Sequence, residues 1–318
     1  MITSMRRALV PGVAGLALVL SACGGGQTAS GGEGDGGGAS GSVAVDGSST
    51  VFPMSNAAAE LLSEENPNVQ VSVGESGTGG GFEKFCAGET DISDASRPIE
   101  DDEAKICEDE GIEYTELQVA TDALTVVVHP DLAVDCLTTD QLIKLWEPGS
   151  KVSNWKDLDP SFPDQEISLF GPGTDSGTYD YMAADVIGEE SETTRDDYEA
   201  SENDNVLVQG VAGTEGATGY FGYSYYEENA DTLKALSIDD GNGCVEPSAE
   251  TARAGEYTPL SRPLFIYVKN SAYADNAAVA EYVDFYIENL PQIAEAAQFI
   301  PLDDATYEET QSAVEGLG

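Results

Sequence analysis

Four segments of this chain gather Ser, Thr and Gly residues at places where chemistry could be done. The first is Asp46-Gly47-Ser48-Ser49-Thr50-Val51-Phe52-Pro53, and the second is Ser76-Gly77-Thr78-Gly79-Gly80-Gly81-Phe82. The third is Ile92-Ser93-Asp94-Ala95-Ser96-Arg97-Pro98, and the fourth is Gly171-Pro172-Gly173-Thr174-Asp175-Ser176-Gly177-Thr178-Tyr179. One such segment reads as a helix N-cap or a glycine turn. Four together describe a site for an oxyanion: unpaired N–H groups at positive helix ends, hydroxyl donors, and one guanidinium that adds a charged fork. Other anion chemistries fail on residues. No Gly-Lys pair exists for a nucleotide phosphate loop, and the glycines of residues 77–81 lack dinucleotide spacing.

Hydrolysis fares no better. Asp175-Ser176-Gly177 has no second Asp-Ser/Thr-Gly copy to face it, as a two-carboxylate protease would need. No Gly-x-Ser-x-Gly elbow occurs, and the single histidine, His129, leaves little room for a Ser-His mechanism or a zinc site. With 13 Lys and Arg against 59 Asp and Glu, the net charge of −46 excludes a nucleic-acid binder. No cofactor and no metal is expected.

The elements that must position these turns alternate between two periods. Strand patterns are expected at 43–45, 69–73, 92, 117–128, 167–170, 218–221 and 263–268. Helical patterns are expected at 52–65, 82–86, 99–109, 138–146, 177–187 and 205–211, with a final long helix at 277–290. This predicts an α/β fold with largely parallel sheets, in which ligands bind beyond the carboxyl ends of strands.

The N-terminal region reads as a leader. Arg6-Arg7 precedes an apolar stretch at 8–20, too short to span a bilayer, which ends in Leu20-Ser21-Ala22-Cys23. Residues 1–22 are expected to be removed and Cys23 lipidated, which exports the chain and anchors it to the outer face of the cell membrane. Ten of the nineteen residues at 24–42 are Gly, a tether with a reach of roughly 20–25 Å. Outside the cell, the even set Cys86, Cys107, Cys136 and Cys244 favours two disulfides. Of three pairings, Cys86–Cys107 with Cys136–Cys244 is the expectation.

The four turns, with Leu142-Ile143-Lys144-Leu145-Trp146, Asn154-Trp155 and Ser261-Arg262-Pro263-Leu264-Phe265-Ile266-Tyr267-Val268, resemble the PstS-like phosphate-binding lipoproteins of bacterial ABC phosphate transporters. The resemblance covers most of the chain after the tether. It implies a two-lobed periplasmic-binding-protein-like fold of type II, mixed but mostly parallel in each lobe, that closes over its ligand. Lobe 1 would be 43–124 plus 260–318 and lobe 2 would be 125–259. It implies capture of inorganic phosphate for an importer's permease subunits, by a monomer and without catalysis. Sulfate or molybdate is the alternative ligand, and a hydrolase the more distant alternative function. Carried over by position, Ser48, Ser49, Thr50, Thr78, Ser96, Ser176, Gly177 and Thr178 are phosphate-binding candidates. The family's arginine before Ser-Gly-Thr is missing here, so Arg97 is expected to supply the cation. The family's acceptor for the phosphate proton is also displaced, leaving Asp94 and Asp175 as candidates.

Overall fold

The computed structural model describes residues 38–174, 176–188 and 193–317. The leader, Cys23, most of the Gly-rich segment and Asp175 lie outside the described residues.

Twelve strands appear among the described residues: β1 Gly41–Gly47, β2 Val69–Val73, β3 Ile92–Ala95, β4 Tyr114–Val128, β5 Cys136–Thr138, β6 Ser168–Gly171, β7 Glu199–Ala200, β8 Ala217–Gly222, β9 Lys234–Ala235, β10 Ser237–Asp239, β11 Cys244–Val245 and β12 Ser261–Lys269. The main sheet runs β2-β1-β3-β12-β4-β8-β6-β7, with β9 also on β4. A small sheet, β11-β10-β5, stands apart.

Two long strands organise the molecule. Near-continuous burial of β4 from Leu117 onward marks a strand covered on both faces. Its first part pairs antiparallel with β12, from Tyr114 opposite Lys269 to Ala123 opposite Ser261. From Leu124 it pairs with β8 instead. The hydrophobic cores divide at the same place. Leu117, Val119 and Ala120 join a core with Val43, Ile92, Leu264, Ile266, Tyr282 and Tyr286. Leu124, Val126 and Val128 join a second core with Leu142, Trp146, Trp155, Leu169 and Tyr220. The expected parallel order holds away from these two strands, in β2-β1-β3 and in β8-β6-β7. Every antiparallel pair in the main sheet involves β4 or β12, so the sheet is mixed.

Parallel pairing sets the turns side by side. Gly47 at the end of β1 lies opposite Asp94 in β3. Gly47 has φ +148°, and a Cβ there would stand 2.1 Å from the Asp94 carbonyl oxygen. Only glycine fits. The second Gly-rich turn differs from expectation: Gly79, Gly80 and Gly81 are helical, because the helix begins at Thr78 and runs to Cys86. A Cβ on Gly81 would come within 2.5 Å of Gly47 Cα. Close backbone packing therefore outweighs the cost of about 1 kcal/mol that each glycine brings to a helix interior.

Two further differences concern helices. The expected 177–187 helix is α-helical over Gly177–Tyr181 and a π-turn over Met182–Ile187. The long C-terminal helix ends at Glu288, and helices Leu290–Ala296 and Asp304–Glu315 follow it. Disulfides join Cys86 to Cys107 and Cys136 to Cys244, the expected pairing. Among the described residues no helix is long and apolar enough to cross a membrane.

Candidate anion site

The first and fourth turns meet across a cavity of about 280 Å³. Ser49, Thr50 and Pro53 supply one wall, from the start of helix Phe52–Glu65. Ser176, Gly177 and Thr178 supply the opposite wall, at the start of helix Gly177–Tyr181. A Cβ on Gly177 would stand 3.6 Å from Thr50 Oγ1, so the two turns face each other closely. Ser176 caps its helix, with Oγ accepting from the Thr178 amide at 3.2 Å. The Ser176 hydroxyl proton remains available to a ligand, and so does the dipole of the helix end.

Arg262, on β12, does not line the cavity itself but is bonded to two residues that do, Thr50 and Asp122. Its Nη2 donates to Thr50 Oγ1 at 3.0 Å, which leaves the Thr50 proton free to point into the cavity. Its Nη1 donates to Asp185 Oδ2 at 2.9 Å, and its Nε reaches Asp122 Oδ2 at 3.3 Å. The guanidinium carbon lies 3.7 Å from the centre of the Tyr181 ring, and the side chain is 12% exposed. One fork therefore ties the first turn, the crossing strand β4 and the π-turn of the opposite wall. By sequence Arg262 stands only among the family-like residues. The one signal was an arginine directly before the apolar run 263–268.

The third segment lies elsewhere. Thr78 and Ser96 hydroxyls bond each other at 3.1 Å, and the Ser96 amide donates to Thr78 Oγ1. They stand beside the first turn, since the Gly77 amide bonds the Gly47 carbonyl. Arg97 donates with both terminal nitrogens to Glu103, at 2.8 Å each, and lies 3.3 Å from Glu100. The Glu103 carboxylate raises the Arg97 pKa, and the side chain is 34% exposed. Thr78, Ser96 and Arg97 do not line the 280 Å³ cavity. Ser48 sits behind its neighbours, 2% exposed, with its amide bonded to the Asp94 carbonyl.

Asp94 is fully buried. Its Oδ1 accepts from Ser55 Oγ at 2.9 Å, and its Oδ2 has no partner. Burial pushes its pKa up to about 8, helped by the nearby Asp46 charge. Two carboxylates that the sequence did not single out line the cavity instead, Asp122 and Asp204. Burial raises the Asp122 pKa against the pull of Arg262. Burial, with Glu202 nearby, pushes Asp204 up to about 6. A larger hollow of about 680 Å³ includes Arg195, but that guanidinium is already held by Asp197 and the Leu145 and Val152 carbonyls. Among the described residues no group of three or more His, Cys, Asp or Glu side chains could hold a metal ion.

Comparison with known proteins adds to this geometry. Residues 33–289 match the model of a PBP superfamily domain. The protein SphX of Synechococcus elongatus is 47% identical over 268 residues, 83% of this chain and 79% of SphX. A phosphate-binding protein PstS of Staphylococcus saprophyticus is 41% identical over 307 residues, 95% of this chain and 92% of that protein. A crystal structure of "a possible phosphate binding protein" from Planctomyces limnophilus superposes with a TM-score of 0.84 at 47% identity, covering 88% of this chain and 99% of the other.

Proposed function

Because the chain belongs to the PBP superfamily and, within it, to the family that includes SphX and the phosphate-binding protein PstS, we propose that it captures inorganic phosphate outside the cytoplasm and passes it to an ABC-type importer. It is a substrate-binding protein and not an enzyme. The observation that carries the ligand reading is the pairing of two helix-start turns across one cavity, with the Arg262 guanidinium bonded to Thr50 of the first turn. Ser49, Thr50, Ser176, Thr178 and the Gly177 amide are the direct donors in this reading. Thr78 and Ser96 form a neighbouring ring of donors. Arg262, bonded to Thr50 in the cavity wall, takes in this reading the cationic role that Arg97 was expected to fill.

Selectivity follows from the carboxylates. Asp122 and Asp204 in the wall accept a proton that phosphate carries and sulfate lacks at neutral pH. An unmatched pair of oxygen lone pairs in such a wall costs roughly 1–3 kcal/mol. Asp175, the other sequence candidate, stays a further acceptor on the fourth turn. Lobe boundaries near residues 124 and 260, with 43–124 plus 260–318 against 125–259, agree with the change of strand partner and of core. Two disulfides suit an oxidising compartment. A lipid on Cys23, the Gly-rich tether, a monomeric state and docking to permease subunits complete the proposal.

Calorimetric titration of the full chain with phosphate and, separately, sulfate tests this reading. Saturable phosphate binding with sulfate at least 100-fold weaker is the expected result. Equal binding of both would remove the carboxylates from the account, and binding of neither would overturn the ligand.

A further inference from the structure

The cavity has a third wall that neither turn supplies. Ala297, Gln298 and Phe299 form it, in the stretch after helix Leu290–Ala296. Gln298 has φ +62°, the non-glycine left-handed residue among those described. Such a backbone persists where its surroundings hold it. The holding groups come from the other lobe. Ser224, on helix Tyr223–Glu228 beyond β8, donates from Oγ to the Gln298 carbonyl at 2.6 Å. Tyr225, on the same helix, also lines the cavity. Two residues on, Ile300 exchanges both backbone hydrogen bonds with Thr121 of β4, at 3.0 Å each. Ile300 also packs with Ala123, Tyr223 and Ala252 in a small cluster between the lobes. Arg253 Nε then donates to the Pro301 carbonyl at 2.7 Å.

We infer that residues 297–301 are an interlobe strap: anchored on the crossing strand through Ile300, it places the third wall of the anion cavity, and the bond from Ser224 to the Gln298 carbonyl slows ligand release. This rests on the phosphate reading of the cavity. The left-handed turn at Gln298 is what aims its carbonyl at Ser224. Ile300 lies on the strand shared by both lobes, so it stays fixed when the lobes part. Gln298 does not, and its bond to Ser224 must break before that wall swings away. The anion enters before this bond forms, so association is unaffected. Ser224 and Gln298 are positioning residues.

Stopped-flow kinetics on the full chain with inorganic phosphate tests the strap. Ser224→Ala is expected to speed release about three- to tenfold, the range one neutral hydrogen bond supplies, with the association rate and melting temperature unchanged. Ser224→Thr, which keeps a hydroxyl, restores slow release. Release at the wild-type rate in Ser224→Ala overturns the strap, as does an equal loss in association and release. If the wild-type chain binds no phosphate, the functional reading falls. Hydrogen exchange at the amides of 298–300 then decides for the strap alone: faster exchange in Ser224→Ala supports it, and equal exchange overturns it.

Discussion

Two arginines of this protein stand beside Ser/Thr/Gly turns and do different things. Arg97 belongs to the third turn by sequence. Its fork closes on Glu103, six residues away, and its side chain is 34% exposed. Arg262 is 212 residues from Thr50 and belongs to none of the turns by sequence, yet its three nitrogens reach Thr50, Asp122 and Asp185. An arginine satisfied within one element stabilises that element. An arginine whose partners lie on both sides of a cleft senses whether the cleft is filled. On the proposed phosphate reading, the region around Arg97, with buried Asp94 three residues before it, serves stability, and the region around Arg262 serves binding.

That division can be broken by substitution. Arg262→Ala carries the largest expected effect: a loss of phosphate affinity of about 100-fold or more, from roughly 3 kcal/mol for a charged hydrogen-bonding group. Arg262→Lys, with charge but no fork, should fall between this variant and wild type in the same calorimetric titration. Thr50→Val is expected to cost about tenfold in affinity, one neutral donor's worth, with little change in melting temperature. An unchanged affinity in Thr50→Val would move the ligand away from the first turn.

Asp94 sharpens the other half of the comparison. Its folded pKa of about 8 lies above the ordinary value of 3.8. Below about pH 4 the group is protonated in both states, and its contribution is fully present. As pH rises toward 8 the unfolded chain loses the proton while the folded chain keeps it, so stability falls across that window. Denaturant unfolding at several pH values should show this decline, and Asp94→Asn should flatten it. The same slope in both proteins would assign the decline to another group. Smallest of all, Arg97→Ala should change phosphate affinity less than about threefold and cost at most about 1 kcal/mol of stability, as partly exposed ion pairs do.

Much of the frame was legible because its signals are local. Helix Phe52–Glu65 and strand Val69–Val73 carry clean periods and sit at the expected residues. Ser49, Thr50, Ser176, Gly177 and Thr178 were readable as helix-start donors, and the structure sets them around one cavity. Arg262 was only weakly signalled in the sequence, by its place before an apolar run, since it takes the antiparallel pairing of β12 with β4 to set it beside Asp122 and within reach of Thr50. Asp204 looked like one more acid in an acidic chain. Its cavity position comes from the placing of helix Asp204–Gly213 behind β6 and β8. Helix Asp304–Glu315 buries only Thr310 and Val314, too thin an apolar stripe to announce itself. The Gly79–Gly81 stretch read as a turn because glycine disfavours helices; the contact of Gly81 with Gly47 that reverses this is non-local.

The most direct measurement is anomalous diffraction from crystals grown with arsenate, a tetrahedral anion of phosphate's shape and protonation. The account predicts an arsenic peak within hydrogen-bonding reach of Thr50 Oγ1, the Gly177 amide and the Arg262 guanidinium. A peak held by Arg97, Thr78 and Ser96, with Arg262 still bound to Asp122 and Asp185 and away from the anion, would contradict it.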